Sequence, residues 1–291
     1  MRHGHAAQVL KNFVMTESGT DSSGLIRLRL QYDGSCFAGS QRQKNSTAVQ
    51  NAVESMLSDI YAVPVTVITA GRTDSGVHAG ETFFCFPDPC GKANPVARRI
   101  PVAKLVMLLN KKKYKGLTFL DALVVPNSFH PRYSARVRLY RYRLKNRYGM
   151  HPVIKSSELA NVHYPGFFLD TVKMNVMLSH LTGAHDFSSF ASVHDNSPHK
   201  RREIFLTAVY ESRSIITVEI YGNAFLRGMV RSILGNMLFG LRSGEDTGYL
   251  KRLLDKKDPL CAPQRAPGMG LSLDKIFYSP VFGMRDYYSY R

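Results

Sequence analysis

The stretch Val63-Pro64-Val65-Thr66-Val67-Ile68-Thr69-Ala70-Gly71-Arg72-Thr73-Asp74-Ser75-Gly76-Val77-His78-Ala79 decides how the chain is read. Its β-branched run, Val65 to Thr69, predicts a strand, and Glu81 to Phe86 predicts the strand that returns beside it. Gly71 and Gly76 bracket the loop between them, where glycine supplies positive φ or a close backbone approach. Within that loop an acid (Asp74), a fixed cation (Arg72), two hydroxyls (Thr73, Ser75) and an imidazole (His78) fall close together. The residues by themselves fit two readings. One is a polar turn in which Asp74 bonds its own backbone; the other is a shaped loop that presents a catalytic carboxylate.

Outward from the loop, antiparallel pairing recurs. Ile26, Leu28, Leu30 and Tyr32 alternate with Arg27, Arg29 and Gln31, a strand with one buried face. Thr47-x-x-Gln50 reads as a capping box before a helix carrying Val49, Val53, Met56, Leu57 and Ile60. A helix over Val102 to Leu109 and a strand over Thr118 to Val125 follow, ending at Pro126. Beyond it lie a strand from Arg136 to Leu144, a helix from Asp170 to Leu181, and strands Ile204 to Tyr210 and Ile215 to Tyr221. A helix from Ala224 to about Leu241 carries Arg227 and Arg231 near its start; a short helix and a strand over Leu271 to Phe277 close the pattern. The loop between those two, Ala262 to Met269, is rich in Pro and Gly. Strand, helix, strand, strand recurs loosely in both halves. The expected fold is α+β, two similar α/β halves with largely antiparallel sheets meeting in a central cleft, rather than a parallel doubly wound sheet. The divisions are a disordered leader (1–24), an N-terminal half (25–125), a C-terminal half (126–280) and a tail (281–291).

Charge points to the partner. The chain has 39 Lys+Arg against 22 Asp+Glu, a net charge of +17 over 291 residues, which favours a polyanion, nucleic acid first. The excess is concentrated: Arg132, Arg136, Arg138, Arg141, Arg143, Lys145, Arg147 and Lys155 lie among Tyr133, Tyr140, Tyr142 and Tyr148 in a segment without acids. That mixture offers phosphate contacts and stacking surfaces together. Arg138, Tyr140 and Tyr142 share one face of their strand by period two. No apolar run reaches the ~18 residues of a membrane span, and no secretory h-region is present. The expected location is intracellular, in the cytoplasm. The basic, acid-free start through Met15 fits a flexible terminus and also a mitochondrial presequence. Cys36, Cys85, Cys90 and Cys261 form no C-x-x-C pair and read as reduced core residues, and His194-x4-His199 has no partner pair, so no metal is expected.

Several chemistries drop out. Metal hydrolysis wants a ligand cluster, acyl transfer wants Ser or Cys beside a base, and glycosidases use two carboxylates. Neither phosphate-binding glycine motif is present, so a nucleotide cofactor is not indicated. An aspartic protease signature wants apolar residues before its Asp, and Arg72-Thr73 precede Asp74-Ser75-Gly76. One aspartate suffices where the leaving group stays in the site, as when a base is cut from its ribose and rejoined through another atom.

Five motifs then carry a resemblance. They are Tyr32-Asp33-Gly34-Ser35-x-Phe37-x-Gly39-x-Gln41-x-Gln43, Ala70 to Ala79, Phe129-His130-Pro131-Arg132-Tyr133-Ser134-Ala135 with Arg138-x-Tyr140-x-Tyr142, Asp186-Phe187-Ser188-Ser189-Phe190, and Asn223-Ala224-Phe225-x3-Met229-Val230-Arg231. Together, in family order from about Leu25 to Phe277, they resemble the TruA family of pseudouridine synthases. The resemblance implies an RNA uridine isomerase of the pseudouridine synthase fold, with tRNA as the RNA, no cofactor, and either a monomer or a homodimer. It implies Asp74 as the catalytic aspartate, attacking C1′ or removing a ribose proton to give a glycal. Tyr140 would stack on the flipped uracil, with the C5 proton as a second task, and Arg231 would orient Asp74. Arg72, Thr73, His78, Arg132, Arg138 and Tyr142 are the expected substrate-binding residues. Two departures stand out: Ser40 replaces the family's tryptophan, an expected loosening near the cleft, and Lys113-Tyr114 stands where the family carries Leu-Pro. The competing reading is an RNA-binding or ribosome-associated factor of this fold with little turnover.

Overall fold

The computed structural model describes residues 24–43, 47–90, 97–146 and 161–278. The leader through residue 23, the tail, and Arg147, Tyr148 and Lys155 of the basic segment lie outside the described residues. In chain order the elements are β1 (Leu25–Tyr32), α1 (Val49–Tyr61), β2 (Ile68–Thr69), β3 (His78–Pro87), α2 (Val102–Lys111), β4 (Leu117–Val125) and β5 (Val137–Lys145). They continue with α3 (Thr171–Ser179), β6 (Gly183–Asp186), β7 (Arg201–Ser212), β8 (Ile215–Gly222), α4 (Met229–Arg242), α5 (Tyr249–Lys256) and β9 (Leu271–Phe277).

One sheet runs through both halves in the order β4-β1-β3-β9-β5-β8-β7-β6, with β2 on β3. Every pairing is antiparallel except β3 with β9, which run parallel through His78↔Ser272 and Ala79↔Leu273. β9 is therefore the joint: it lies between the last N-terminal strand of the sheet and β5, the first strand of the C-terminal half. Its side chains divide accordingly, Leu273 and Ile276 in one core and Leu271 in the other. The N-terminal core packs Ile26, Leu28 and Leu30 of β1 against Val53 and Leu57 of α1 and Leu105 and Leu109 of α2. The C-terminal core gathers Met174 and Leu178 of α3, Ile233 and Met237 of α4, and Leu253 of α5 over β5, β7 and β8. The β7–β8 hairpin turns on Arg213 and Ser214, both at positive φ (49 and 65), as a two-residue turn matched to strand twist requires.

Three local expectations change. The strand expected over Val65 to Thr69 shrinks to Ile68–Thr69, because α1 side chains take the backbone bonds of the earlier residues. The N–H of Val65 donates to Ser58 Oγ (2.9 Å), that of Val67 to Glu54 Oε1 (3.0 Å), and Gln50 Nε2 donates to the Val67 carbonyl (3.2 Å). The same Gln50 leaves no capping box: the N-cap is Ala48, without a side-chain cap. The helix expected from Ala224 starts at Met229, because Gly228 holds a left-handed φ of 72° and breaks the turn. Arg227 therefore lies outside the helix that carries Arg231. Of the four cysteines, all unpaired, Cys85 is buried and the other three are partly exposed.

Candidate active site

Asp74 sits between β2 and β3 on a turn closed by the N–H of Val77 donating to the Asp74 carbonyl (3.2 Å). Gly76 has a φ of 75°, as the third position of such a turn demands, whereas Gly71 has no positive φ and open space around its Cβ position. The neighbouring residue fixes the loop from below. Thr73 accepts the Ser40 N–H at its carbonyl (3.1 Å), donates its own N–H to Ser40 Oγ (2.7 Å), and pairs its hydroxyl with Tyr32 Oη (2.6 Å). Ser40 and Thr73 are both buried, so these bonds are shielded from water. The position where the resemblance expects tryptophan thus grips the Asp74 loop through two backbone-directed hydrogen bonds.

The Asp74 carboxylate meets Arg231, 157 positions away in sequence, at 3.2 Å from Oδ2 to Nη1. Arg231 is the third residue of α4, and its Nε donates to the Ala266 carbonyl (2.8 Å) while the Ala266 N–H returns to the Arg231 carbonyl (2.9 Å). The guanidinium is held on one edge and aimed at Asp74 with the other. Both side chains are about a third or less exposed (24% and 34%), so water reaches the pair and the contact stabilises by about 1 kcal/mol or less. Its value lies in orientation.

Tyr140 lies at the seam, packed against both cores, with Phe225 edge-on at 5.0 Å and 81°. Burial pushes its phenol up to about 12, with Asp74 pushing the same way and Arg138 opposing. It is a neutral phenol at physiological pH, suited to stacking and hydrogen bonding rather than to acting as a phenolate. Asp74, Tyr140 and Arg231, from three separate elements, are thus brought together.

The expected substrate-binding residues separate by depth. Arg72 is exposed beside Asp74 and makes no hydrogen bond or ion pair with the described residues; Arg132 is also exposed. The other four face inward. Thr73 is spent on Ser40 and Tyr32. His78 receives the Gly34 N–H at Nδ1 (3.0 Å), which leaves Nε2–H to donate to the Met269 carbonyl (3.2 Å). Arg138 donates to the carbonyls of Arg132 (2.7 Å) and Asn223. Tyr142 is 1% exposed, with its hydroxyl donating to the Pro267 carbonyl and lying 3.0 Å from His163 Nδ1. These four bind the loops that frame the site. Period two assigns a residue to a face and says nothing of its depth.

Sequence reading passed over Arg265. It lies in the loop before β9 and donates to the Gly228 carbonyl (3.3 Å); burial lowers its pKa, with the charge of Asp74 opposing that shift and those of Arg231 and Arg227 adding to it. Nothing in a Pro/Gly-rich loop marks one arginine as a neighbour of Asp74. On the other side of β5, Arg141 is paired with Glu219 (2.8 Å) and Asp274 (2.7 Å), so it is not free for phosphate. A depression of about 610 Å³ lined in part by Arg141, Arg143 and Asp274 includes neither Asp74, Tyr140 nor Arg231. Among the described residues no three His, Cys, Asp or Glu side chains gather as metal ligands, and no helix is long and apolar enough to cross a membrane.

The chain is similar to known proteins over most of its length. A family model described as tRNA pseudouridine synthase matches residues 177–279. The tRNA pseudouridine synthase A of Vibrio cholerae is 35% identical over 259 residues, spanning 89% of this chain and 94% of that protein. The protein of the same name from Borrelia garinii is 33% identical over 254 residues, 87% of this chain and 98% of its own length. That from Myxococcus xanthus is 32% identical over 255 residues, 87% and 91% respectively.

Proposed function

The chain belongs to the family of tRNA pseudouridine synthases, and from that premise we propose that it isomerises uridine in tRNA through the carboxylate of Asp74. The observation that carries the assignment is the Asp74–Arg231 pair. The guanidinium holds the carboxylate in one orientation through the contact at Oδ2. The carboxylate acts by adding to C1′ or by removing a ribose proton to give a glycal. In both routes the C1′–N1 bond breaks, the uracil turns, a C1′–C5 bond forms, the C5 proton leaves and N1 takes up a proton, so the atoms and charge balance without a cofactor.

The surrounding residues take the roles their positions support. Arg72, exposed beside the carboxylate, holds the flipped nucleotide or fills the space it leaves. Tyr140 supplies a ring plane for the uracil. Extruding a base costs a few kcal/mol, which stacking and phosphate contacts offset. The test is tritium release from tRNA labelled at uridine C5. Asp74→Asn keeps the shape and removes the charge, and release should fall on the order of 10³-fold or more while tRNA binding persists. Undiminished release would sink the assignment.

A further inference from the structure

The loop Phe129 to Ser134 presents an aromatic surface that the isomerisation site does not use. Tyr133 is 75% exposed, yet its setting is rigid. The His130 ring lies 4.3 Å from the Tyr133 ring at 33°, and the Arg132 guanidinium sits 5.8 Å from the Tyr133 centroid. His130 Nδ1 accepts the N–H groups of both Arg132 (3.1 Å) and Tyr133 (3.2 Å). The Ser134 N–H donates to the His130 carbonyl (2.9 Å), while Ser134 Oγ accepts the His130 N–H (3.0 Å). The next two carbonyls are also taken, Pro131 by Tyr278 Oη (2.8 Å) and Arg132 by Arg138 Nη2 (2.7 Å). Tyr133 itself belongs to none of the buried clusters. A loop this fully bonded around an exposed ring holds that ring ready for a partner, and ordering it beforehand removes part of the entropic cost of binding.

Its position narrows the partner. Arg138, whose guanidinium holds the Arg132 carbonyl, is two residues from Tyr140 on the same face of β5, about 7 Å along the strand. Arg132 also lies within electrostatic reach of Arg138 and Arg202. An aromatic face among guanidiniums, on a loop that Arg138 ties to the strand carrying Tyr140, matches a π-face attached to phosphates.

We propose that Tyr133, backed by His130 and flanked by Arg132, is a stacking platform for an unpaired nucleobase of the RNA substrate within a few nucleotides of the target uridine. The proposal rests on the uridine-isomerase reading above and extends it to a second contact. Stacking of a base on an aromatic side chain has a magnitude that makes Tyr133→Ala raise KM for tRNA roughly 5- to 100-fold, with kcat at saturation unchanged and Tyr133→Phe close to the parent.

A second readout does not depend on turnover. The chain contains no tryptophan, so Tyr133→Trp creates a single indole reporter. Its fluorescence should be quenched by a tRNA transcript and by oligouridylate, and not by a blunt RNA duplex at equal phosphate concentration. Equal quenching by duplex and single strand, or an unchanged KM in Tyr133→Ala, overturns the platform. A parent protein that releases no tritium while its Tyr133→Trp variant is selectively quenched by oligouridylate refutes the isomerase reading and supports the platform. Because Tyr133 is exposed, none of the three variants disturbs the core.

Discussion

The two halves of the molecule supply the site by different means. The N-terminal half contributes the acid on an irregular loop, made rigid by hydrogen bonds from its own half: Ser40 and Tyr32 to Thr73, and Val77 to Asp74. The C-terminal half contributes the cation and the ring from regular elements, Arg231 in the first turn of α4 and Tyr140 on β5. A loop held locally can take an unusual shape, which a carboxylate facing a nucleotide needs; a helix or strand can fix a long side chain by packing. Their relative placement depends on β9, parallel to β3 and antiparallel to β5, and on the loop before it, whose Ala266 and Met269 carbonyls accept from Arg231 and His78, one from each half.

The largest effect on this division should come from cutting the link between halves at the C-terminal side. Arg231→Met keeps an unbranched apolar stem and removes both the bond to Ala266 and the pair with Asp74. Misorientation of a catalytic group by about 1 Å costs on the order of 10²-fold, so kcat for tritium release should fall by about that factor with KM little changed. Arg231→Lys should recover only part of the loss, because an ammonium cannot donate along two fixed edges. Equal activity of the Lys variant and the parent would show that charge alone matters and that the two-edged grip does not.

A smaller loss is expected on the N-terminal side. Ser40→Ala leaves the buried N–H of Thr73 without its acceptor, a cost of about 1–3 kcal/mol readable by urea denaturation. Asp74 keeps its turn and its arginine, so kcat should drop by no more than about 10-fold. A loss as large as that of Arg231→Met would mean that the local bonds, rather than the link across the halves, set the geometry of the acid.

Legibility in the sequence follows the same division. β1 is readable to the residue, because its alternation meets a single buried face. The run Val65 to Thr69 was not, since its backbone partners are side chains of Gln50, Glu54 and Ser58, chosen by tertiary packing. The start of α4 was hidden by Gly228, whose left-handed conformation no periodicity announces. In the site, Asp74, Tyr140 and Arg231 stood out through their motifs, while Arg265 lay in a loop without pattern. Ser40 looked like a loss of packing and is a hydrogen-bonding residue. For Tyr142, His78, Thr73 and Arg138 the sequence shows residue type and face, whereas the protein atoms that occupy their polar groups are visible only in the structure.

Tyr142 gives the mildest test of the comparison and the most discriminating one. It belongs to β5, but its hydroxyl donates to the Pro267 carbonyl, next to the Ala266 that holds Arg231. Were it a substrate contact, Tyr142→Phe would raise KM. Placed as it is, with 1% exposure, the variant loses one buried hydrogen bond and leaves a carbonyl with one acceptor lobe less occupied, for a cost of about 1 kcal/mol in unfolding free energy. Any effect on rate must pass through the loop to Arg231, so kcat should fall by at most a few-fold while KM for tRNA stays at the parent value. A raised KM with unchanged stability would move Tyr142 from the frame of the C-terminal half to its surface, and would require the strand to present its second tyrosine to RNA as well as its first.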